Sequence, residues 1–190
     1  MYFLTLTFNF IDKTFKIFAE LILKFSPINR KDKKSFSYYQ VGLEAQDQGR
    51  YDEALNNYLQ SIKLEETDRD LGTVLYNIGL IHDNNGNFID ALIYYHRALG
   101  FNKENAQIWY NIAVIYHTQA ARAEIANNHI LYLENLCNDL YNLAAKYWLE
   151  ALKLAPDTYP EVISWFKSTG RAYLLSYNIL DKSKNYNNFN

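Results

Sequence analysis

The sequence is short of the residues that interrupt helices. Its 190 residues include only 7 glycines and 3 prolines, which argues against the frequent turns of a β-rich domain. A composition of 49% hydrophobic and 21% charged residues is an ordinary globular balance and can bury a core. We therefore expect an all-α protein of one domain or a short array.

Several features that would define a function class are also missing. Cys137 is the only cysteine, which excludes an intramolecular disulfide and fits a reducing compartment. No apolar run approaches the length of about 18 residues that suggests a membrane span. The N-terminus lacks the basic start and the small-residue cleavage site of a secretory signal. The net charge of −2 gives no case for binding nucleic acid.

Signatures of catalysis are absent as well. The histidines occur without a His-Glu-x-x-His pattern and without a cysteine at zinc spacing. No glycine-rich phosphate loop is present, and Cys137 has no obvious activating base. We expect no enzyme activity, no cofactor and no metal.

The chain does contain a repeated sequence motif. "LYNIGLIH" and "WYNIAVIYH" place Gly79 and Ala113 34 residues apart, and an earlier copy, "YYQVGLEAQDQGRYDEAL", places Gly42 37 residues before Gly79. In both glycine-containing copies a second glycine follows after 7 residues and an alanine after 12. The pattern resembles the tetratricopeptide repeat (TPR), a pair of antiparallel helices with a period of about 34 residues.

The repeated residues suit the packing of such a helix pair. Gly42, Gly79 and Ala113 are small where the second helix should cross close to the first, and Ala54 and Ala91 are small on that second helix. Bulky residues are expected between the helices, and a glycine should end each first helix. These residues are Tyr51, Tyr58, Phe88 and Tyr95, and the glycines Gly49 and Gly86.

The resemblance predicts a TPR-type helical solenoid of three helix-pair repeats, at 35–68, 69–105 and 106–158. The third repeat carries an insertion of about 19 residues at about 120–138, rich in helix formers, which should lengthen both of its helices. A C-terminal capping helix is expected at 159–178, with Pro160 near its start. The polar tail at 179–190 is expected to be disordered.

Residues 1–34 form a basic arm with the pattern of an N-terminal amphipathic helix. Seven basic side chains against three acidic ones give this arm a charge of +4, which leaves −6 for the rest of the chain. Two roles remain open: the arm caps the first repeat, or it binds an anionic membrane or a partner. Its apolar stripe and its basic cluster consist of Ile11, Phe15, Phe18, Ile22 and Phe25, and of Arg30, Lys31, Lys33 and Lys34.

The first helices of stacked repeats line a concave groove, and this groove is the predicted partner-binding site. Tyr39, Tyr76 and Tyr110 occupy one equivalent position and form an aromatic ladder suited to a peptide or a partner helix. Asn77 and Asn111 each offer an amide to an extended backbone. Alternatively, the tyrosines pack beneath the insertion or the N-terminal arm. The remaining predicted groove residues are Leu43, Gln46, Leu80, Asp83, Val114 and His117.

The groove differs from that of the TPR co-chaperones that bind acidic C-terminal tails. The positions that are basic in those proteins correspond here to Tyr39, Leu43, Gln107 and Asn111, and only Asn77 fits their pattern. A carboxylate clamp is therefore not expected.

Longer stretches are similar to the plastid and cyanobacterial photosystem I assembly proteins of the TPR class. In order, these stretches are "NFIDKTF", "YYQVGLEAQDQGRYDEAL", "LYNIGLIHDNNGNFIDALIYYHRAL", "NIAVIYH" and "AAKYWLEALKLAP". The first of them lies outside the repeat consensus and is the more specific piece.

The resemblance implies a non-catalytic, chaperone-like scaffold that binds unassembled photosystem I subunits, above all the large reaction-centre subunits. Other assembly factors are implied as further partners. The implied location is the stromal side of the plastid thylakoid membrane, with peripheral attachment. The alternative is a general TPR adaptor or co-chaperone that links soluble proteins.

Overall fold

The computed structural model describes residues 30–64, 68–126 and 131–175, and these ranges contain helices and no strand. The predicted all-α class is confirmed. The predicted apolar stripe at 11–25 and the predicted tail at 179–190 lie outside the described residues. The helices are α1 (Arg30–Asp47), α2 (Tyr51–Leu64), α3 (Asp68–Asn84), α4 (Phe88–Phe101), α5 (Ala106–Ala126), α6 (Leu131–Leu154) and α7 (Pro160–Ser168).

The chain divides into two compact units. The first, residues 1–67, contains α1 and α2, and the second, residues 68–190, contains α3 to α7. Neighbouring helices pack as pairs, α1 with α2, α3 with α4 and α5 with α6, and α4 also contacts α5. The three helix pairs predicted from the repeat are therefore present.

In the first unit, the α1–α2 crossing depends on a glycine that faces an aromatic ring. A Cβ atom at Gly42 would lie 2.6 Å from Cε1 of Tyr58, which is closer than two carbons can approach. Tyr58 and Ala54 are fully buried. Ser35 Oγ lies 3.0 Å from both the carbonyl oxygen and Oγ of Ser61, so its buried hydroxyl is satisfied across the same pair.

The α3–α4 pair of the second unit repeats this arrangement. A Cβ atom at Gly79 would lie 2.6 Å from Cδ1 and from Cε1 of Tyr95, and Tyr95 and Ala91 are fully buried. The equivalent small-to-large contact therefore occurs in both glycine-containing repeats, as their matching spacing predicts.

The third pair builds the same core with larger helices. Ala113, Ala144 and Trp148 are buried in one cluster, to which α7 adds Val162 and Phe166. Helix α5 has 21 residues and α6 has 24, whereas α3 has 17 and α4 has 14. The insertion thus lengthens both helices of its repeat, as predicted.

Glycines end the first helix of two pairs by the predicted mechanism. Gly49 and Gly86 have φ angles of 72° and 74°, a left-handed conformation that glycine adopts without steric cost. The amide of Gly49 donates to the Gln46 carbonyl (2.9 Å), and the next amide, of Arg50, donates to the Ala45 carbonyl (2.8 Å). This pair of bonds is the Schellman motif, which satisfies the last carbonyls of α1.

Two boundaries differ from the prediction. The basic residues Arg30, Lys31, Lys33 and Lys34 belong to the first turns of α1 rather than to a separate arm. The capping helix predicted over 159–178 is not continuous: α7 starts at Pro160 but ends at Ser168, and helix resumes at 172–175. The break occurs because Gly170 adopts a φ of 71° and forms a third helix-ending turn.

Candidate partner-binding site

The predicted groove residues lie on the first helix of each pair. α1 carries Tyr39, Leu43 and Gln46 in the first unit, and α3 and α5 carry the others in the second unit. All of them are partly buried except Asn77, which is 7% exposed. Asn77 therefore departs from the expectation of an open amide, because its side chain lies within the packed interior rather than on the surface.

A polar network joins α3, α4 and α5 in the second unit. The Asn111 amide donates to the Tyr76 hydroxyl (3.2 Å) and approaches the Tyr95 hydroxyl (3.5 Å). Tyr95 in turn donates to Oδ2 of Asp83 (3.2 Å). The Tyr76 and Tyr95 rings lie 5.8 Å apart between centroids. The sequence predicted Tyr76, Asp83 and Asn111 as groove residues, and the structure brings these three together around Tyr95.

Burial determines the protonation states in this network. It raises the pKa of the Tyr76 and Tyr95 hydroxyls above their ordinary value, and the neighbouring Asp83 carboxylate acts in the same direction. The upward shifts keep both phenols protonated even at alkaline pH, so the bond that Tyr95 donates to Asp83 is retained there. Burial also raises the pKa of Asp83, although the hydrogen bond from Tyr95 opposes this effect.

Tyr110 is covered on one side by the segment that leads into α7. Its ring stacks on Tyr159 with centroids 4.5 Å apart and planes at 12°. Burial raises the Tyr110 pKa, and the neighbouring Glu161 carboxylate acts in the same direction. The alternative prediction, in which the tyrosines pack beneath another segment, thus holds for one face of the Tyr110 ring. The segment that covers this face is the C-terminal cap rather than the insertion.

His117, near the middle of α5, lies in an aromatic cluster. Its ring centroid is 5.2 Å from Trp148, 5.4 Å from Tyr141 and 5.8 Å from Trp165. Burial lowers the pKa of His117, while the Glu124 carboxylate opposes this effect. The neutral imidazole is therefore favoured, and it acts here as a packing ring.

The first unit contains a simpler version of the network. The Tyr58 hydroxyl donates to Oε1 of Gln46 (2.8 Å), and the Tyr39 and Tyr58 rings lie 6.1 Å apart. Gln46, Asp83 and His117 each follow the small residue of their repeat by four positions. Each of the three contacts the large residue of the second helix.

Sequence reasoning missed the residues that complete these contacts. Tyr58 and Tyr95 were predicted only as core aromatics, although their hydroxyls bond to groove residues. Tyr159 and Glu161 were not predicted at all. For Tyr58 and Tyr95 the sequence does contain a signal. A polar residue follows Gly42 and Gly79 by four positions, where it can accept a hydrogen bond from the tyrosine hydroxyl of the paired helix.

A separate cleft of about 550 Å³ lies outside the predicted groove in the second unit. It is bordered by the start of α4, the second half of α5, and α6 beside the insertion. Ile89, which is 78% exposed, is its most accessible apolar residue. Its other apolar lining comes from Phe88, Leu92, Ile115, Tyr116 and Leu140.

Residues 30–64, 68–126 and 131–175 contain neither a metal site nor a membrane-spanning helix. Within these ranges no group of three or more His, Cys, Asp or Glu side chains is arranged to hold a metal ion. In the same ranges no helix combines the length and the apolar character that crossing a bilayer requires. Cys137, on α6, is buried.

Comparison with known proteins agrees with the geometry of the helix pairs. The sequence model of the tetratricopeptide repeat matches residues 37–68 and 72–105, which are the first two pairs. The third pair, with its insertion, is recognised from the structure. The chain is thus a TPR protein.

Full-length relatives identify the family. A photosystem I assembly protein Ycf3 from Cyanophora paradoxa is 45% identical over 166 residues, covering 87% of this chain and 93% of the relative. Ycf3 from Rippkaea orientalis is 45% identical over 164 residues, covering 86% and 92%. Ycf3 from Phaeodactylum tricornutum is 49% identical over 163 residues, covering 86% and 96%. The chain belongs to the Ycf3 family of photosystem I assembly proteins.

Proposed function

We propose that this protein is a non-catalytic, chaperone-like scaffold for assembly of photosystem I. It binds segments of unassembled photosystem I subunits, the large reaction-centre subunits first among them, and works beside other assembly factors. It acts at the stromal surface of the plastid thylakoid membrane as a peripheral protein. The family name supports the process, and the surface formed by α3 and α5 supports the mode of binding.

The observation that carries the proposal is the network of Tyr76, Asp83, Tyr95 and Asn111. Tyr76 and Asn111 are partly exposed and provide apolar area together with an amide, while the fully buried Tyr95 holds the network from beneath. An aromatic ring beside a hydrogen-bonding group is the composition found at the centre of protein interfaces. The internal hydrogen bonds fix the side chains before a partner arrives, so that little rotamer entropy is lost on binding.

Holding and release need no nucleotide in this scheme. The surface covers an apolar segment of a subunit until the next subunit buries the same segment. Release then follows from competition between two interfaces, because the final complex buries the segment more completely. The scaffold returns unchanged and can bind again.

Replacing Tyr39, Tyr76 and Tyr110 by alanine tests the proposal. Each truncation should cost on the order of 1–2 kcal/mol of client binding. The triple variant, expressed as the sole copy, should stay folded yet fail to co-purify with photosystem I subunits. Photosystem I should then fail to accumulate while photosystem II persists.

Ile89→Ala provides the matched control. It removes an exposed apolar side chain from the separate cleft and leaves the tyrosines in place. A folded triple variant with normal photosystem I, together with a defective Ile89→Ala variant, would move the client site to the cleft beside the insertion. Loss of binding to soluble partners alone would instead favour a general adaptor.

We also propose that the basic start of α1 contributes to membrane attachment. Arg30, Lys31, Lys33 and Lys34 lie in the first two turns, where the helix dipole disfavours positive charge. Asp32 is the only acidic residue in the first turn. Four positive charges against this single carboxylate in the first turn give the start of α1 a net positive charge, which an anionic lipid surface would attract.

A further inference from the structure

We propose that the third helix pair recognises its client through the indole N–H of Trp148, which donates a hydrogen bond to an uncharged carbonyl oxygen of the bound segment. This inference rests on the proposed function, in which the surface formed by α3 and α5 binds the client. It adds the chemical group that is recognised beside α5 and the residue that recognises it.

The equivalent residue of the first two pairs uses its polar group inside the protein. In these pairs the large residue of the second helix is Tyr58 or Tyr95, each 16 residues after the small residue of the first helix. The Tyr58 hydroxyl donates to Oε1 of Gln46 (2.8 Å), and the Tyr95 hydroxyl donates to Oδ2 of Asp83 (3.2 Å). In both pairs a buried polar group is therefore satisfied by the residue four positions after the small one.

The third pair departs from this arrangement. Trp148 follows Ala113 by 35 residues, which matches the separation in the other pairs once the insertion of about 19 residues is allowed for. Trp148 is 6% exposed, and its buried Nε1 has no hydrogen-bond partner within the described part of the second unit. The residue four positions after Ala113 is His117, whose ring lies 5.2 Å from that of Trp148 but accepts no bond from it. A buried N–H without a partner lowers stability, so a functional reason is needed for it.

This donor lies next to the face of α5 that carries the predicted groove residues. His117 follows Tyr110 by seven residues and is therefore two turns further along the same helix face. The rings of His117 and Trp165 contact Trp148, the second with centroids 4.9 Å apart, and both are partly exposed. Among the described residues, His117 makes ring contacts and no hydrogen bond. It can turn aside without losing a bond, which gives an acceptor access to the indole N–H.

The charges around the donor favour an uncharged acceptor. The Glu124 carboxylate accepts a hydrogen bond from Tyr141 (2.7 Å), and the Arg171 guanidinium lies over the Trp165 ring, 5.3 Å from its centroid. These two charges are opposite, and burial lowers the pKa of His117, which favours the neutral imidazole. The cluster thus has no net charge with which to select an ion. A carbonyl group also costs less to desolvate among aromatic rings than a carboxylate does.

The test removes one N–H and keeps the ring. Benzothienylalanine has the shape of tryptophan with a sulfur atom in place of the indole N–H. Trp148→benzothienylalanine therefore deletes the proposed donor. Trp109→benzothienylalanine is the matched control, because the Trp109 N–H donates to the Lys103 carbonyl (2.8 Å) and Trp109 is outside the predicted groove residues. Both full-length variants are compared with wild type in urea unfolding and in affinity for overlapping peptides that cover the photosystem I reaction-centre subunits.

The two variants should change in opposite ways. Trp148→benzothienylalanine should bind retained peptides about fivefold more weakly and be no less stable than wild type, because it loses a bond to the client and none inside the protein. Trp109→benzothienylalanine should unfold at a lower urea concentration and bind the peptides as wild type does. Wild-type affinity in the Trp148 variant would overturn the inference. So would a loss of stability as large as that of the Trp109 variant, since the N–H would then be bonded internally.

A peptide series identifies the carbonyl group. In each retained peptide, amide-to-ester replacement weakens one backbone carbonyl at a time as an acceptor, and alanine replaces each Asn and Gln. One such change should weaken binding to wild type by a similar factor and have no further effect on binding to Trp148→benzothienylalanine. An ester effect identifies a backbone carbonyl, and an alanine effect identifies a side-chain amide.

Other outcomes separate this inference from the proposed function. If every peptide change had the same effect on wild type and on the Trp148 variant, the inference would be overturned. Loss of peptide binding in the triple tyrosine variant would then leave the proposed function standing. Failure of wild type to retain any peptide would overturn the inference, and normal photosystem I in the triple tyrosine variant would overturn the proposed function.

Discussion

Gly79→Ala is the sharpest test of the packing scheme, because it adds one methyl group at a position with no room for it. The new Cβ would lie 2.6 Å from Cδ1 and Cε1 of Tyr95, about 1 Å closer than carbon atoms in contact. Tyr95 is fully buried and its hydroxyl is bonded to Asp83, so the ring cannot simply rotate into solvent. The α3–α4 pair must separate or the ring must leave its position.

The magnitude follows from two opposed effects. Overpacking of this kind costs about 1–3 kcal/mol, and loss of the Tyr95 hydrogen bond adds about 1 kcal/mol. Alanine regains about 1 kcal/mol of helix propensity over glycine. We expect a net loss of about 1–3 kcal/mol in the free energy of unfolding, and Gly42→Ala should behave similarly through Tyr58.

Gly100→Ala is the matched control, because nothing lies within 4 Å of the added Cβ. Gly100 is an exposed residue in the last turn of α4. This variant should be neutral or more stable by up to about 1 kcal/mol. Urea unfolding monitored by circular dichroism measures both variants. If Gly79→Ala were as stable as Gly100→Ala, the close approach of Tyr95 to the α3 backbone would be refuted.

Two further predictions concern charge. Burial lowers the pKa of His117, so the unfolded chain binds more protons than the native one below an ordinary histidine pKa of about 6.5. The stability contribution of His117 is therefore present above about pH 6.5 and is lost as the pH falls. His117→Phe should make the free energy of unfolding decline less steeply at acidic pH. If the pH profile of unfolding were the same in His117→Phe and wild type, this prediction would be contradicted. Replacing Arg30, Lys31, Lys33 and Lys34 by Gln should weaken binding to anionic vesicles by about 1 kcal/mol per residue. Unchanged vesicle binding at low salt would return this segment to a capping role.

The repeat pattern predicted the fold well because its rules are local. Gly42 and Gly79, each 16 residues before Tyr58 and Tyr95, gave the close helix crossings that the structure confirms. The helix-ending role of Gly49 also follows from neighbouring residues alone. Gly170, in "STGRA", shows the same signal as "DQGRY", so the break in the capping segment could have been predicted from the sequence.

The candidate site was less predictable because its contacts join distant segments. Tyr110 stacks on Tyr159, 49 residues later, and only the folded course of the lengthened helices brings the two rings together. Asn77 and Asn111 occupy equivalent repeat positions, yet Asn77 is buried whereas Asn111 reaches Tyr76. Burial depends on what packs over a position, and a repeat alignment does not contain that information.

The most direct measurement of the central claim is photo-crosslinking in intact membranes during photosystem I assembly. A benzoyl-phenylalanine at position 110 reports on what touches the surface formed by α3 and α5, and the same residue at position 89 reports on the separate cleft. We expect Tyr110→benzoyl-phenylalanine to capture a photosystem I reaction-centre subunit and Ile89→benzoyl-phenylalanine not to capture it. Capture of that subunit from position 89 and not from position 110 would contradict the assignment of the client surface to α3 and α5.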